Sequence, residues 1–279
     1  AIPTGIKIFN WLATMWGGQI RFTTPMLYAI AMIATFTIGG VSGVMHAAAP
    51  ADLQQTDTYF VVAHFHYVIF GGVVMGVFAG FFYWFPKFTG RLADETLGKL
   101  GFWITFVGFN LTFFPMHFIG LLGMPRRVFT YAEELNLGGM NLASTVGAFL
   151  TAVGVAIVLW NLVRSARKGE VAGPNPWNAA TLEWATASPP APYNFAELPE
   201  VRGRLPLWED PEPVERAARA EPAEPIHLPK PSYWPLVTAV GVMTTFALFL
   251  AMERFWWAPL AGVAVVAVGI LSWAFEPAH

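Results

Sequence analysis

The segment Asp57-Thr-Tyr-Phe-Val-Val-Ala-His64-Phe-His66-Tyr-Val68 decides how the rest of the chain is read. It opens a run that carries no Lys, Arg, Asp or Glu between Asp57 and Lys87. That run exceeds the ~20 apolar residues needed to cross a bilayer, so it predicts a transmembrane helix. An imidazole in hydrocarbon is costly, and a titratable side chain there points to function by default. On a helix, residues i and i+2 lie ~200° apart. His64 and His66 therefore cannot chelate one ion, which needs neighbours at i+3 or i+4. They can serve two different centres on opposite flanks of the helix, with Phe65 near the gap between them, or make two separate interhelical hydrogen bonds.

The composition extends the membrane reading to the whole chain. Of 279 residues, 55% are hydrophobic and 12% charged, against about 25% charged in an ordinary soluble domain. A second uncharged run separates Arg21 from Asp52. Net charge is −2, so no bulk basic field attracts nucleic acid. Disordered, collagen-like and disulfide-scaffold classes are excluded as well. With no cysteine, any metal must be held by His, carboxylate, Met or Tyr. Ala1 opens directly into an apolar stretch without a basic n-region, as expected of a piece of something longer.

The expected fold is all-α: a polytopic transmembrane helix bundle with one partial and six full spans. The partial span is 1–17. The full spans are 25–45, 57–85, 97–122, 140–163, 234–252 and 257–275, the last two forming a tight hairpin. Three regions follow: transmembrane helices over 1–164, a Pro- and charge-rich segment over 165–230, and an extra hairpin over 231–279. That middle segment reads as an irregular surface stretch. Arg21, Lys87, Arg91, Lys99, Arg164, Arg167 and Lys168 fall on one side if the spans alternate, which makes that side cytoplasmic. Arg126 and Arg127 break the rule on the opposite side, as a held anionic partner would explain. With cysteine absent, this pair favours haem iron as the centres of His64 and His66.

The segment Asp57–Val68 resembles the tenth-helix signature of subunit I of the haem–copper oxygen reductases, above all A-type cytochrome c oxidase. Further matches follow in the family's order: Ile2-Pro-Thr4-Gly-Ile-Lys7, Thr112-Phe-Phe-Pro-Met-His117-Phe-Ile-Gly, Gly123-Met-Pro-Arg126-Arg127, Pro192-Tyr-Asn-Phe and Arg204-Leu-Pro-Leu-Trp208. The resemblance implies that the chain is the carboxy-terminal part of subunit I, helices eight to twelve, and covers roughly Ala1–Trp208. It implies two haems, of a and a3 type. His64 is then the axial ligand of the high-spin haem, His66 an axial ligand of the low-spin haem, and Phe65 sits between the two. Arg126 and Arg127 bind the propionates, a task suited to guanidinium forks; the bland reading of the pair is a solvated basic loop. Thr4 and Lys7, three residues apart on one helix face, belong to the K proton pathway, where the bland reading is a lysine snorkelling to the interface. Asp52 lies near a propionate and Asp57 is a ligand of a non-redox magnesium. Thr56 stands where the family carries the His that shares this metal. For both aspartates the bland reading is an acidic residue at a helix start. His46 and His117 are expected to be structural or interfacial.

The three histidines and the tyrosine of the copper B site have no counterparts here, so the chain is not expected to reduce oxygen alone. The implied partners are the remainder of subunit I, subunit II with its dinuclear copper, subunit III, cytochrome c and lipid, with no nucleic acid. The implied location is the bacterial cell (inner) membrane. The implied activity is electron transfer from cytochrome c through the two haems to oxygen, coupled to proton pumping. A quinol oxidase is the alternative within the family. A plain electron-transfer cytochrome b and a non-redox proton-conducting transporter are the alternatives outside it.

Overall fold

The computed structural model describes residues 1–226 and 230–277. Residues 227–229 of the expected polar segment and 278–279 of the expected hairpin region lie outside it. Among the described residues all regular structure is helical apart from two isolated bridges. The chain forms two compact units: Ala1–Asn194 with Pro199–Arg219, and Phe195–Leu198 with the chain from Ala220 onward.

In the first unit, α1 (Ile2–Met15) buries none of its residues. The helices α2 (Thr24–Ala47), α4 (Tyr59–Thr89), α5 (Glu95–Leu121) and α6 (Gly138–Lys168) are each long and apolar enough to cross a membrane. The short α3 (Ala49–Gln55) links α2 to α4. Local chemistry sets the ends of these helices. Thr58 caps α4 by accepting the Phe60 N–H at 3.1 Å. Asp94 caps α5 by accepting the Leu97 N–H at 2.9 Å. Gly90, left-handed at φ 70°, ends α4. The first turn of α2 is satisfied from another helix: Thr24 donates its N–H to Glu95 Oε1 at 2.8 Å and its hydroxyl to Oε2 at 2.9 Å.

Small residues let the helices approach closely. Along the α5–α6 seam, a methyl at Gly108 would meet Thr151 N at 2.5 Å, and one at Gly147 would meet Thr112 N at 2.5 Å. This is the small-residue packing by which helices associate in lipid, where burial from water gives no drive. The main core gathers Tyr28, Tyr67, Met75, Phe78, Phe82, Phe102, Phe109 and Val158 from α2, α4, α5 and α6. Midway along α4, Ile69–Val74 forms a π-helical turn.

The segment after α6 is largely irregular but closely packed. The Lys87 ammonium donates to the carbonyls of Pro174 (3.0 Å), Thr186 (2.7 Å) and Ala187 (3.2 Å) and lies 5.1 Å from the centre of the Trp184 ring. Trp184 is 1% exposed, and Trp177 donates its indole N–H to Tyr83 O at 2.8 Å. The amphipathic α7 (Pro211–Arg219) buries Val214 and Ala217.

In the second unit, α8 (Trp234–Phe249) and α9 (Ala258–Ala274) pack on each other as a hairpin. Gly241 faces Val266, Gly262 faces Thr245 and Gly269 faces Thr238. These two helices are shorter than the spans read from the sequence, because residues 250–257 form the turn. The six expected full spans thus resolve into four long helices and two shorter apolar ones.

Candidate functional site

The site lies in the N-terminal half of α4. His64 and His66 follow one another by two residues, so their side chains leave the helix on different flanks. The His64 ring lies against α2: Nδ1 is 3.0 Å from Gly39 O and 3.0 Å from Ser42 Oγ, and Ser42 itself donates to Gly39 O at 2.9 Å. A methyl at Gly43 would meet His64 Cε1 at 2.9 Å, so glycine makes the room for this ring. The His66 ring turns toward α5 and stacks on Phe113 at 4.0 Å between centroids. Its Nδ1 is 2.8 Å from Val62 O, and Phe65 lies beside it at 4.4 Å.

A carbonyl oxygen can only accept, so in both rings Nδ1 carries the proton and Nε2 keeps its lone pair. This is the state of an imidazole prepared to ligate a metal through Nε2, with its other nitrogen held by a backbone carbonyl. Both rings are half-buried. Among the described residues no group of three or more His, Asp or Glu could share an ion. Two axial ligands to two separate porphyrin irons fit this donor set.

The arginine loop is sewn to the start of α4. Arg126 N–H donates to Asp57 O at 2.9 Å, Tyr59 N–H donates to Met124 O at 3.1 Å, and Thr58 pairs with Pro125. Arg126 Nε also donates to Asp57 Oδ1 at 2.8 Å. The residue read as a propionate anchor and the residue read as a magnesium ligand thus hold each other. Asp57 and Arg127 both sit in the left-handed region, at φ 58° and 63°, which non-glycine residues rarely adopt. Asp52 is likewise engaged, accepting from His46 Nδ1 at 2.9 Å. His46 packs 5.0 Å from the His64 ring, so it borders the site. His117 packs on Phe60 and Tyr67, in keeping with a structural role. Thr4 and Lys7 stay exposed on α1. Gly39, Ser42, Phe113 and the contact of His46 were not singled out by the sequence. The small-residue pattern Gly39-Gly-Val-Ser42-Gly43 facing the His64 ring was the available signal.

Comparison with known proteins agrees with the motif order. Residues 1–150 match the family Cytochrome C and Quinol oxidase polypeptide I. The chain is 50% identical to the cytochrome c oxidase subunit 1 of Bacillus subtilis (strain 168), over 97% of this chain and 43% of that one. It is 53% identical to that of Bacillus sp. (strain PS3), over 94% and 43%. It is 43% identical to the quinol oxidase subunit 1 of Bacillus subtilis (strain 168), over 99% and 43%. The chain thus spans less than half the length of the curated relatives it matches. An alignment over 97% or more of the chain takes in most of the α8–α9 sequence. With four membrane-crossing helices and this ancestry, the chain is an integral membrane protein and belongs to the subunit I family of the cytochrome c and quinol oxidases.

Proposed function

We propose that this chain is the haem-ligating carboxy-terminal part of the catalytic subunit of a cytochrome c oxidase. The whole subunit would reduce oxygen to water with electrons from cytochrome c, coupled to proton pumping across the bacterial cell membrane. One observation carries the reading: His64 and His66, two residues apart on a membrane helix, each set Nδ1 against a backbone carbonyl, which leaves Nε2 as the nitrogen an iron would take.

In this reading His64 holds the high-spin haem and His66 the low-spin haem. Haem iron supplies one-electron redox chemistry. The protein's share is to fix the two rings, to exclude water from the flanks they face and to place Phe65 between them. Arg126 and Arg127 meet the propionates. Arg126, already held by Asp57, would offer its guanidinium to a propionate. Asp52 lies near a propionate, held by His46. Thr4 and Lys7 pass protons inward once α1 is enclosed by the rest of the subunit. Copper B is held by the part of subunit I that precedes these helices. A magnesium at Asp57 would use Oδ2, because Arg126 occupies Oδ1. Subunits II and III are the partners in the membrane, and the charged ends at Arg91, Arg164 and Lys168 face the cytoplasm. The region 231–279 is an accessory hairpin or the opening of a fused subunit.

Identity is higher to cytochrome c oxidases than to the quinol oxidase, which supports the cytochrome c branch. A reduced-minus-oxidised spectrum of the complete enzyme tests the proposal. The expected result is two haems, one of which binds carbon monoxide. Absence of any haem band would leave the transporter reading. Haem without carbon monoxide binding would leave the plain cytochrome b. Turnover with quinol and not with cytochrome c would assign the other branch.

A further inference from the structure

The π turn at Ile69–Val74 begins three residues beyond His66. At the junction the Ile69 N–H is shared between the carbonyls of Phe65 and His66, so the backbone of the ligand segment is where the helix changes its winding. A π turn accommodates one extra residue, which sets back everything beyond it by ~100°. This lets one continuous helix keep two different stretches against α2, with a glycine on one side of each contact. Upstream, the backbone at Tyr67 and Val68 meets Gly39. Downstream, Gly72 meets Phe36 and Gly76 meets Met32.

Such a turn costs backbone pairing. At its end the Met75 N–H goes to Phe70 O and Gly72 O and bypasses Gly71 O, the acceptor an α-helix would use. The Thr35 hydroxyl of α2 lies 2.9 Å from Gly71 O and 2.7 Å from Ala31 O in its own helix. It has one proton for these two carbonyls, and Ala31 O already receives the amide four residues on in α2. Thr35 is 1% exposed, so no water can take its place. A methyl at Gly71 would meet Thr35 Cβ and Oγ1 at 2.8 Å, so the approach requires glycine on one side and a small hydroxyl residue on the other.

We infer that Thr35 is a positioning residue for the ligand segment: its hydroxyl holds the π turn through the bypassed Gly71 carbonyl and so fixes the rotation of His66, and with it His64, about the axis of α4. In the haem-related arm the inference rests on the ligand roles proposed above.

The test compares Thr35→Val with Thr35→Ser in the complete enzyme. Val keeps the volume and removes the hydroxyl, whereas Ser keeps the hydroxyl. In Thr35→Val the amides of 69–74 should exchange with deuterium at least ~10-fold faster. The low-spin haem should show a displaced α band and a broadened electron paramagnetic resonance signal at unchanged haem content. Thr35→Ser should restore the parental exchange and spectra. Thr35→Val behaving as the parent, or Thr35→Ser being as impaired as Thr35→Val, would overturn the inference. If Thr35→Val assembles poorly, exchange at 69–74 in Thr35→Ser against Thr35→Ala decides: Ser alone should protect these amides, and equal exchange in the two would overturn the lock. Enzyme without haem in the parent would overturn the ligand roles instead, and the exchange arm would still judge the π turn.

Discussion

His64 and His66 are held by different means, and substitutions should separate them. His64 has a side-chain neighbour in Ser42, whereas His66 depends on its own helix and on Phe113. Replacing His66 by Ala should abolish the low-spin haem signal and leave the carbon monoxide-binding haem in place, as read by optical difference spectra. Replacing Lys7 by Met should slow reduction of the enzyme while both haems remain bound; stopped-flow reduction at the parental rate would remove Lys7 from the proton route. At this scale the sequence was partly legible. The imidazole spacing is a matter of helix geometry and could be read directly. The pairings of Asp57 with Arg126 and of Asp52 with His46 could not, because each joins residues from different elements whose approach only the fold creates. The resemblance gave Asp57 and Arg126 separate ligands, and the structure places them against each other.

Among the elements, helix ends show which local rules dominate. The span read as 57–85 falls short of the helix, which passes Pro86 and continues to Thr89. Gly90 supplies the left-handed cap that ends it, a stronger stop than the preceding proline. Likewise the span read as 140–163 runs on to Lys168, since Arg167 and Lys168 suit a helix C-terminus and keep their charges at the interface. The π turn left no periodic trace, because one inserted residue in an all-apolar run changes no pattern of polarity. The Asp94 cap yields a pH prediction. Its carboxyl is held below the ordinary carboxylate value, chiefly by the Leu97 N–H and then by Arg164. A depressed carboxylate stabilises the fold above its ordinary pKa, and that contribution fades as pH falls through the lowered value. Asp94→Ala should therefore cost about 1 kcal/mol near neutrality, and the Tm difference from the parent should close on acidification. On the α5–α6 seam, Gly147→Val should cost about 1–3 kcal/mol by forcing two backbones apart, seen as a lowered Tm.

Taken whole, the chain combines a legible transmembrane layout with a tail whose packing was not legible. Charge gaps marked out the spans. Proline and charge density made 165–230 look loose, because composition does not register that a few aromatic residues and one lysine suffice to fasten an irregular segment. Lys87 is the decisive group. Lys87→Met should remove three charge-assisted hydrogen bonds to the 174–187 segment. That should weaken its local docking by about 2–4 kcal/mol, and limited proteolysis should then cut this segment while the helices stay intact.

The placement of this lysine also orders events during biogenesis. Its acceptors lie 87 to 100 residues further along the chain. While the ribosome is still extending the fifth and sixth helices, the ammonium has only solvent and lipid headgroups for company. It can leave them only once the segment that begins at Pro174 has emerged. Docking of the tail is therefore a late step, and a ribosome stalled before Pro174 would leave the charge at the rim of the bundle without its carbonyl acceptors.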